Sequence, residues 1–264
     1  MSVPTNETNS EKTETAPTDH RVVVFGVPDE NTPLKNVLID VAGMDAATAQ
    51  VTTRSLPGLL PGALSQHQAA SVAASIREIG LSAVAVPALE VPNLSQATQI
   101  HHVRVGDGSV EIIDTSDQHY SVASESIQVI SVGVVPSTAP GHRRPASSLA
   151  MGSSHHSWND GAHVPPRKRP EAFIVLSTGS VLLLASDEMN YEYLGNRKST
   201  SSNANFARLI SDLTELAESA WVTPSTRALL DRGPVRHFEF RSRDDFRGYT
   251  EFQTLLRGQL GQQR

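Results

Sequence analysis

The sequence predicts an α+β fold: a small N-terminal α/β sandwich, followed by a mainly antiparallel β-sheet or partial-barrel domain with C-terminal helices. Three observations lead to this prediction. Strand and helix patterns alternate over residues 21–87, short strand patterns recur at regular spacing over residues 98–135, and the most continuously apolar run of the chain, AFIVLSTGSVLLLAS, occupies Ala172 to Ser186.

The apolar run at 172–186 is predicted to be a buried β-hairpin. Its two halves are rich in Ile, Val and Leu and flank Thr178-Gly179-Ser180, which is typical of two core strands joined by a turn. A buried helix is the alternative, but a central glycine with turn-forming neighbours disfavours it. Since the run carries no reactive side chain, we assign it a structural role.

The first 87 residues divide into a tail and a compact unit. Residues 1–20 contain almost no apolar side chains and are expected to be disordered, because they cannot offset the entropy lost on ordering. Apolar periodicity and capping residues then predict a run of short elements. They are a strand at 22–25, a helix capped by Thr32 ahead of Pro33, a helix opened by Asp45, a short edge strand near Leu59, a helix capped by Ser65, and a strand at 81–86.

The segment DENTPLKNVLIDVAGMDAATAQ, together with GLSAVAV after the third helix, resembles the ClpS adaptor family. In that family a strand leads through an acidic turn and Thr-Pro into a helix. The segment is similar also to the C-terminal domain of the ribosomal stalk protein, which shares the fold. The resemblance covers residues 21–87 and implies that they form a ClpS-like α/β sandwich.

ClpS adaptors bind the N-terminal residues of their substrates through an Asn-Asp-Asp type of turn and a histidine near the end of the second helix. In this chain the corresponding turn is Pro28-Asp29-Glu30, and the histidine position falls near Leu56. The resemblance therefore implies that Asp29 and Glu30 can meet an amino group, without the amide and the imidazole that the family uses.

The rest of the chain predicts a second domain over residues 98–258. Residues 88–97 have the proline and polar content of a linker, and a flexible loop rich in Pro, Ser and Gly is expected at 136–170. The elements predicted for the second domain are strands at 100–105, 109–114, 120–122 and 127–135, the hairpin, a helix at 206–216, a helix after Thr223-Pro224, a strand with Phe238 and Phe240 on one face, and a helix capped by Ser242.

Composition excludes several kinds of function. The chain has no cysteine, which excludes disulfides, thiolate metal sites and cysteine nucleophiles. Its net charge of −6 gives no general attraction to nucleic acid or to an anionic membrane. Because no apolar run is long enough to cross a bilayer and the N-terminus lacks signal-peptide features, we expect a cytoplasmic protein without a membrane partner.

The loop at 136–170 carries histidines and basic residues. His155, His156 and His163 are suitable metal ligands, but adjacent histidines in a flexible loop do not easily share one tetrahedral ion, so no metal site is predicted. The basic residues at 143–144 and 167–169 can contact phosphates, yet no interleaved aromatic residues support nucleic-acid binding. His101-His102 are expected on opposite faces of a strand and therefore cannot form a joint site.

The polar stretch that follows the hairpin is the best candidate for a specific surface. It leads into the N-terminus of a helix, where free N–H groups and two cations favour an anion or a phosphopeptide; helix capping in a solvated loop is the alternative. The candidate binding residues in and after this stretch are Asp187, Glu188, Tyr191, Arg197, Lys198 and Asn203.

No phosphate loop, dinucleotide fingerprint, zincin motif or nucleophile elbow occurs in the sequence. We therefore predict a non-enzymatic adaptor or regulatory protein without a cofactor, whose partner is another protein. The alternatives are a module that responds to an anion or a nucleotide, and a nucleic-acid-associated protein that uses the basic loop. If the protein is an enzyme, we expect its site around Asp187, Glu188, Tyr191 and Arg197.

Overall fold

The computed structural model describes residues 19–137 and 167–262. Within them the chain divides into two compact units, and the division falls between Val91 and Pro92. The predicted tail and the predicted loop lie outside the described residues, except at their ends. Those ends are ordered: His20 already belongs to a strand, and the strands that flank the loop extend to Pro136 and begin at Lys168.

The first unit is a three-stranded sheet packed with three helices. Its elements are, in chain order, β1 (His20–Val24), α1 (Asn31–Asp40), α2 (Ala46–Ser55), β2 (Gly58–Leu59), α3 (Gln66–Glu78) and β3 (Ala83–Pro87). The strand order is β2-β1-β3, and both pairs are antiparallel. The predicted order of strands and helices is confirmed.

Strand alternation explains the core of this unit. Val22 and Val24 point to the same side of β1, and they pack with Leu34 and Leu38 of α1 and with the apolar stripe of α3. All four of these side chains are at most 1% exposed. The helices therefore bury their apolar stripes against one face of the sheet.

Two of the three helix caps predicted for the first unit are confirmed. The Asp45 carboxylate accepts the N–H groups of Ala47 and Thr48 at 3.0 Å each, and Ser65 forms a capping box with Gln68. The Thr32 cap is wrong, because α1 begins at Asn31 and Thr32 lies inside its first turn. Glu30 occupies the N-cap position and makes no side-chain capping bond.

The second unit is built on a seven-stranded sheet. Its strands are β4 (Thr98–Val105), β5 (Ser109–Asp114), β6 (His119–Ala123), β7 (Ile127–Pro136), β8 (Lys168–Leu176), β9 (Val181–Ala185) and β10 (Trp221–Val222). Its helices are α4 (Ser202–Leu216), α5 (Pro224–Leu230) and α6 (Arg243–Gln262). The sheet order is β10-β7-β8-β9-β4-β5-β6, antiparallel except for the β10–β7 and β4–β9 pairs.

The hairpin prediction is confirmed, and the hairpin lies in the middle of this sheet. β8 and β9 pair antiparallel around a turn in which Gly179 takes a φ of 84°. One face of β8 carries Ala172 and Ile174 against α4, and the other carries Phe173 against Phe246 of α6, with 5.1 Å between the ring centroids. The hairpin is thus covered by a helix on each side, as its unbroken apolar character requires.

The sheet curls into a partial barrel. β6 and β7 are five strand spacings apart in the sheet, which is about 24 Å if the sheet were flat. Only Ser124–Ser126 connect them, and from Ala123 to Ile127 the chain can span at most about 14 Å. The strands must therefore curve around the side chains that α4 covers, although the sheet does not close.

Two predictions for the second unit are corrected. The predicted linker at 88–97 contains Leu94, which is 1% exposed and packs in the core beneath α6, so this unit begins before β4. The predicted strand around Phe238 and Phe240 is reduced to a single bridge between Glu239 and Val134, because a short 3-10 turn occupies Val235–His237.

We predict that Gly133→Ala destabilises the protein by about 1–3 kcal/mol through overpacking. A Cβ at Gly133 in β7 would lie 2.7 Å from ring carbons of both Phe240 and Phe246. The matched control is Gly248→Ala in α6, where a Cβ meets nothing within 4 Å and alanine favours the helix by about 1 kcal/mol. Urea unfolding should move the two midpoints in opposite directions, and equal shifts would contradict the packing described here.

Candidate functional site

The predicted acidic turn of the first unit is exposed. Asp29 and Glu30 both lie on the surface, and Glu30 immediately precedes α1. Leu56, near which the predicted resemblance to ClpS places the histidine, is 8% exposed and packs in the core of the unit. The carboxylates are therefore accessible, but the position that completes the ClpS site serves packing in this chain.

Asp187 and Glu188, in the second unit, are both held by Arg169 of β8. The Nη1 group of Arg169 donates to Asp187 Oδ1 at 2.7 Å and to Glu188 Oε1. Gln99 of β4 donates to the second oxygen of Glu188 at 3.2 Å. The two carboxylates thus form the outer end of an ionic network.

The inner end of this network is Glu171, whose side chain is fully buried. Arg169 Nε donates to Glu171 Oε1 at 2.9 Å, while Arg243, the first residue of α6, donates to both carboxylate oxygens. Burial disfavours the charged form of Arg169, but its hydrogen bonds to Glu188 and Glu171 outweigh that effect and raise the guanidinium pKa. The network joins the hairpin to the start of α6.

This network corrects the expectation of a solvated basic loop that includes residues 167–169. Arg169 is 6% exposed and lies within β8. Lys168 also belongs to β8 and pairs with Glu239. Both cations are neutralised by carboxylates of the same unit, so neither is free for a phosphate.

We predict that Glu171→Ala destabilises the protein by about 3 kcal/mol, because two arginines then lose their buried partner. Glu111→Ala is the control, since the Arg104–Glu111 pair is separated by 4.0 Å and both side chains are about two-thirds exposed. Urea unfolding should show a lower midpoint for the first variant and an unchanged midpoint for the second. A small effect at Glu171 would contradict the network.

The remaining predicted binding residues do not converge on one anion site. Tyr191 is 5% exposed and donates its hydroxyl to the Ser186 carbonyl at 2.7 Å, and burial followed by the nearby Asp187 raises its pKa. Arg197 makes two hydrogen bonds of 2.8 Å to the carboxylate of Asp212 in α4. Lys198 and Asn203 are exposed.

The N-terminus of α4 is capped from within the chain. Ser201 Oγ accepts the N–H of Ala204, and Asn205 Oδ1 accepts the N–H of Ser199 at 2.7 Å. The helix capping that sequence analysis offered as the alternative is therefore present. With Arg197 bound to Asp212, Lys198 is the one cation of the predicted pair that makes no described ion pair.

The His101-His102 pair lies at an irregularity of β4. The register between β4 and β5 shifts between Ile100 and His102, and Ile100 and Val103 both face the core beneath α4. The bulge interrupts the alternation that predicted the two histidines on opposite faces. Even so, residues 19–137 and 167–262 contain no group of three His, Asp or Glu side chains that could hold a metal ion.

A small apolar cavity lies inside the curled sheet. This cavity of about 10 Å³ lies between Leu213 of α4 and apolar side chains of the sheet, Ile112 and Ile174 among them. This is about the volume of a single water probe, and its walls offer no polar group. The cavity is a packing defect of the core.

The two edges of the seven-stranded sheet differ sharply. At one edge lies the short strand β10, which pairs only with Val129 and Ile130 of its neighbour β7. Beyond it, the Thr226 hydroxyl of α5 accepts the N–H of Val132 at 2.8 Å and donates to the Ile130 carbonyl at 3.0 Å. Val134 then exchanges backbone hydrogen bonds with Phe238 and Phe240. This edge is covered along its length.

β6 forms the opposite edge and is bare. Hydrogen bonds from Asp114 N–H to the Gln118 carbonyl and from Ser124 N–H to the Gly108 carbonyl show which backbone groups face β5. By alternation, the N–H and C=O groups of His119, Ser121 and Ala123 point outward, and of these the Ala123 carbonyl accepts the Ser126 hydroxyl at 2.7 Å. These three residues are exposed, and their three N–H groups have no hydrogen-bond partner within the described part of the chain.

The free edge of β6 was not predicted from the sequence, although the strand itself was. A strand pattern does not show which strand becomes the last in a sheet, since that depends on pairing between distant segments. One signal was present: HYSVA contains neither proline nor lysine, the residues that commonly protect an edge.

We predict that Thr226→Val destabilises the protein by about 1–3 kcal/mol, because the buried Val132 N–H loses its acceptor while shape is kept. Thr254→Val in α6 is the control, since that hydroxyl only donates to the Thr250 carbonyl at 2.9 Å. The midpoint of thermal unfolding should be clearly lower for Thr226→Val and should change much less for Thr254→Val. Equal changes would mean that Thr226 does not protect the edge.

Comparison with protein-family models, curated proteins and solved structures finds no match to this chain. The resemblance to ClpS adaptors therefore stays a prediction. Within the described ranges, 19–137 and 167–262, none of the helices combines the length and the apolar character that crossing a membrane requires. Function is accordingly inferred from the geometry of the chain's own residues.

Proposed function

We propose that this chain is a non-enzymatic adaptor or regulatory protein of the cytoplasm, and that its second unit docks a partner protein by strand addition to β6. In strand addition an extended segment of the partner forms backbone hydrogen bonds with a free sheet edge. The observation that carries the proposal is the contrast between the two edges of the seven-stranded sheet.

The contrast supports binding because a bare edge is a liability. Unpaired N–H and C=O groups in a row promote aggregation, and proteins commonly cover them. This chain covers β7 with β10, Thr226 and the backbone of Phe238 and Phe240. It leaves outward N–H groups at His119, Ser121 and Ala123, which is the arrangement that a partner strand requires.

The edge is also held in place before any partner arrives. Asp114, at the end of β5, accepts the N–H groups of Ser116 and Gln118 at 2.8 and 3.0 Å through Oδ1. Its other oxygen accepts the hydroxyl of Tyr120 in β6 at 3.0 Å. A preorganised strand loses little conformational entropy on binding, and this favours affinity.

The competing functions receive less support from the same residues. An anion-responsive module needs Arg197 and the N-terminus of α4, but Arg197 binds Asp212 and the helix is capped by Ser201. A nucleic-acid-associated protein needs its basic segment, but Lys168 and Arg169 pair with carboxylates. Both functions would require these ion pairs or caps to be broken, whereas protein binding at β6 does not.

We predict that Ser121→Pro abolishes partner capture and leaves the fold intact. Proline removes an N–H that points away from β5, and edge strands tolerate proline at such positions. The tagged full-length protein is incubated with cytoplasmic extract of the cells that produce it, and bound proteins are identified by mass spectrometry. Proteins captured by the wild-type chain should be missing from the Ser121→Pro sample.

Ser121→Ala is the matched control, because it changes the same side chain and keeps the N–H. It should capture the same proteins as the wild-type chain. Circular dichroism and the thermal midpoint establish that both variants are folded. If Ser121→Pro retains every captured protein, or if the wild-type chain recovers nucleic acid and no protein, strand addition at β6 is wrong.

A further inference from the structure

We infer that the β6 edge recognises an extended peptide segment in which basic and apolar residues alternate. The inference rests on the proposed strand addition and adds the chemistry of the partner. It follows from the charge around β6 and from the different character of the two faces beside this strand.

The strands that carry the edge are strongly acidic. Residues 98–126 contain five carboxylates, Asp107, Glu111, Asp114, Asp117 and Glu125, and one arginine, Arg104, which gives a formal charge of −4 with histidine neutral. Four of the five carboxylates are exposed, the exception being Asp114. The segment therefore has a net charge of −4, in a chain whose net charge is −6.

Three exposed carboxylates are placed around the edge itself. Asp117 lies in the turn that precedes β6, and Glu125 lies in the turn that follows it. Glu111 of β5 is directly opposite Ser121 of β6, and its contact with Arg104 is a long one of 4.0 Å between two side chains that are about two-thirds exposed. An extended segment paired with β6 would thus meet a carboxylate near each end and a third one a single strand away from its centre.

The small side chain of Ser121 allows a long side chain of the partner strand to reach Glu111. A strand added to β6 would lie about 10 Å from β5, which is two strand spacings. Long side chains on one face of a sheet interact when their backbones are up to about 8 Å apart. Here the flexible stems of lysine or arginine and of Glu111 extend toward each other over the small serine and cover the remaining distance. The face that contains His119, Ser121 and Ala123 therefore favours basic residues at every second position of the partner.

The opposite face of β6 favours apolar residues at the remaining positions. Val122 is 8% exposed and belongs to the core beneath α4, and Tyr120, on the same face, is 44% exposed. An apolar side chain beside these two would cover the exposed part of the tyrosine ring. Because successive side chains of the partner strand point to opposite faces, its sequence should alternate basic and apolar residues.

A second copy of the chain fits this edge poorly. Pairing β6 with β6 would bring two segments of charge −4 together, and like charges opposite each other disfavour association. The same carboxylates attract a basic segment from solution. The acidic surround therefore selects against self-pairing and for a cationic partner.

The test uses fluorescein-labelled octapeptides with blocked ends and the full-length protein. One peptide alternates lysine and valine, a second alternates serine and valine, and a third alternates glutamate and valine. Fluorescence anisotropy at low salt should give the lysine peptide at least about tenfold higher affinity than the serine peptide, with no saturable binding of the glutamate peptide. Raising the ionic strength should weaken the lysine peptide most.

Two protein variants separate backbone pairing from charge. Ser121→Pro should abolish binding of the lysine peptide. The triple variant Glu111→Gln, Asp117→Asn and Glu125→Gln should weaken it at least about eightfold, since each surface charge contributes about two- to fivefold. Asparagine tolerates the positive φ of 58° at position 117. The matched control neutralises three exposed carboxylates elsewhere, Glu78, Glu192 and Glu218, and should leave the affinity unchanged.

The outcomes distinguish this inference from the proposed function. Equal affinity for the lysine and serine peptides, lost in Ser121→Pro, overturns the charge selection and leaves strand addition standing. Lysine-peptide binding that survives Ser121→Pro, or that weakens equally in the control triple variant, overturns the inference as non-specific attraction. The inference is also overturned if none of the peptides binds, or if sedimentation shows a dimer of the wild-type chain that Ser121→Pro dissociates. In either case the proposed function is still decided by the capture experiment with cell extract.

Discussion

The double coverage of the β8–β9 hairpin is the constraint on which the second unit depends. A hairpin in the middle of a sheet needs an apolar layer on each face, and α4 and α6 supply those layers through Phe206 and Phe246. The hairpin also needs partners for the charges that β8 carries at its start. Glu171 is therefore held between Arg169 of the same strand and Arg243 of α6. Packing and charge together place the first turn of α6 against the hairpin.

Local patterns in the sequence predicted most elements of the fold. The hairpin at 172–186, the caps at Asp45 and Ser65 and the strands β4 to β7 each depend on neighbouring residues, so a short window contains the information. β10, which pairs with β7 over only two residues, was not predicted. The same reasoning failed where distant segments decide the outcome. Phe238 and Phe240 have a strand pattern, but Val134 offers them only one bridge. Thr32 is not the cap of α1, because the helix begins two residues earlier than predicted, with Glu30 at the N-cap position.

The candidate site was less accessible to sequence analysis, for the same physical reason. Glu171 and Arg243 are 72 positions apart, and nothing near either residue indicates that they meet. Arg169 follows a basic pair and precedes a proline, which is typical of a solvated loop, although it is buried in β8. Hydrogen bonding with Asp212 likewise removes Arg197 from the predicted anion site. Residue type and local context indicate charge, but only the fold shows which charges are already paired.

The bare edge at β6 follows from the topology of the curled sheet. Because Ser124–Ser126 must carry the chain directly from β6 into β7, no helix or loop of useful length follows β6 to cover it. β7 is different, since the segments that come after α4 return to its outer side and satisfy its backbone groups. A chain with this connection has few means of protecting β6 except short length and charge. In the proposed strand addition, the exposed carboxylates Glu111, Asp117 and Glu125 therefore serve two purposes: they keep the β6 edges of two copies apart, and they make the edge selective for a cationic strand.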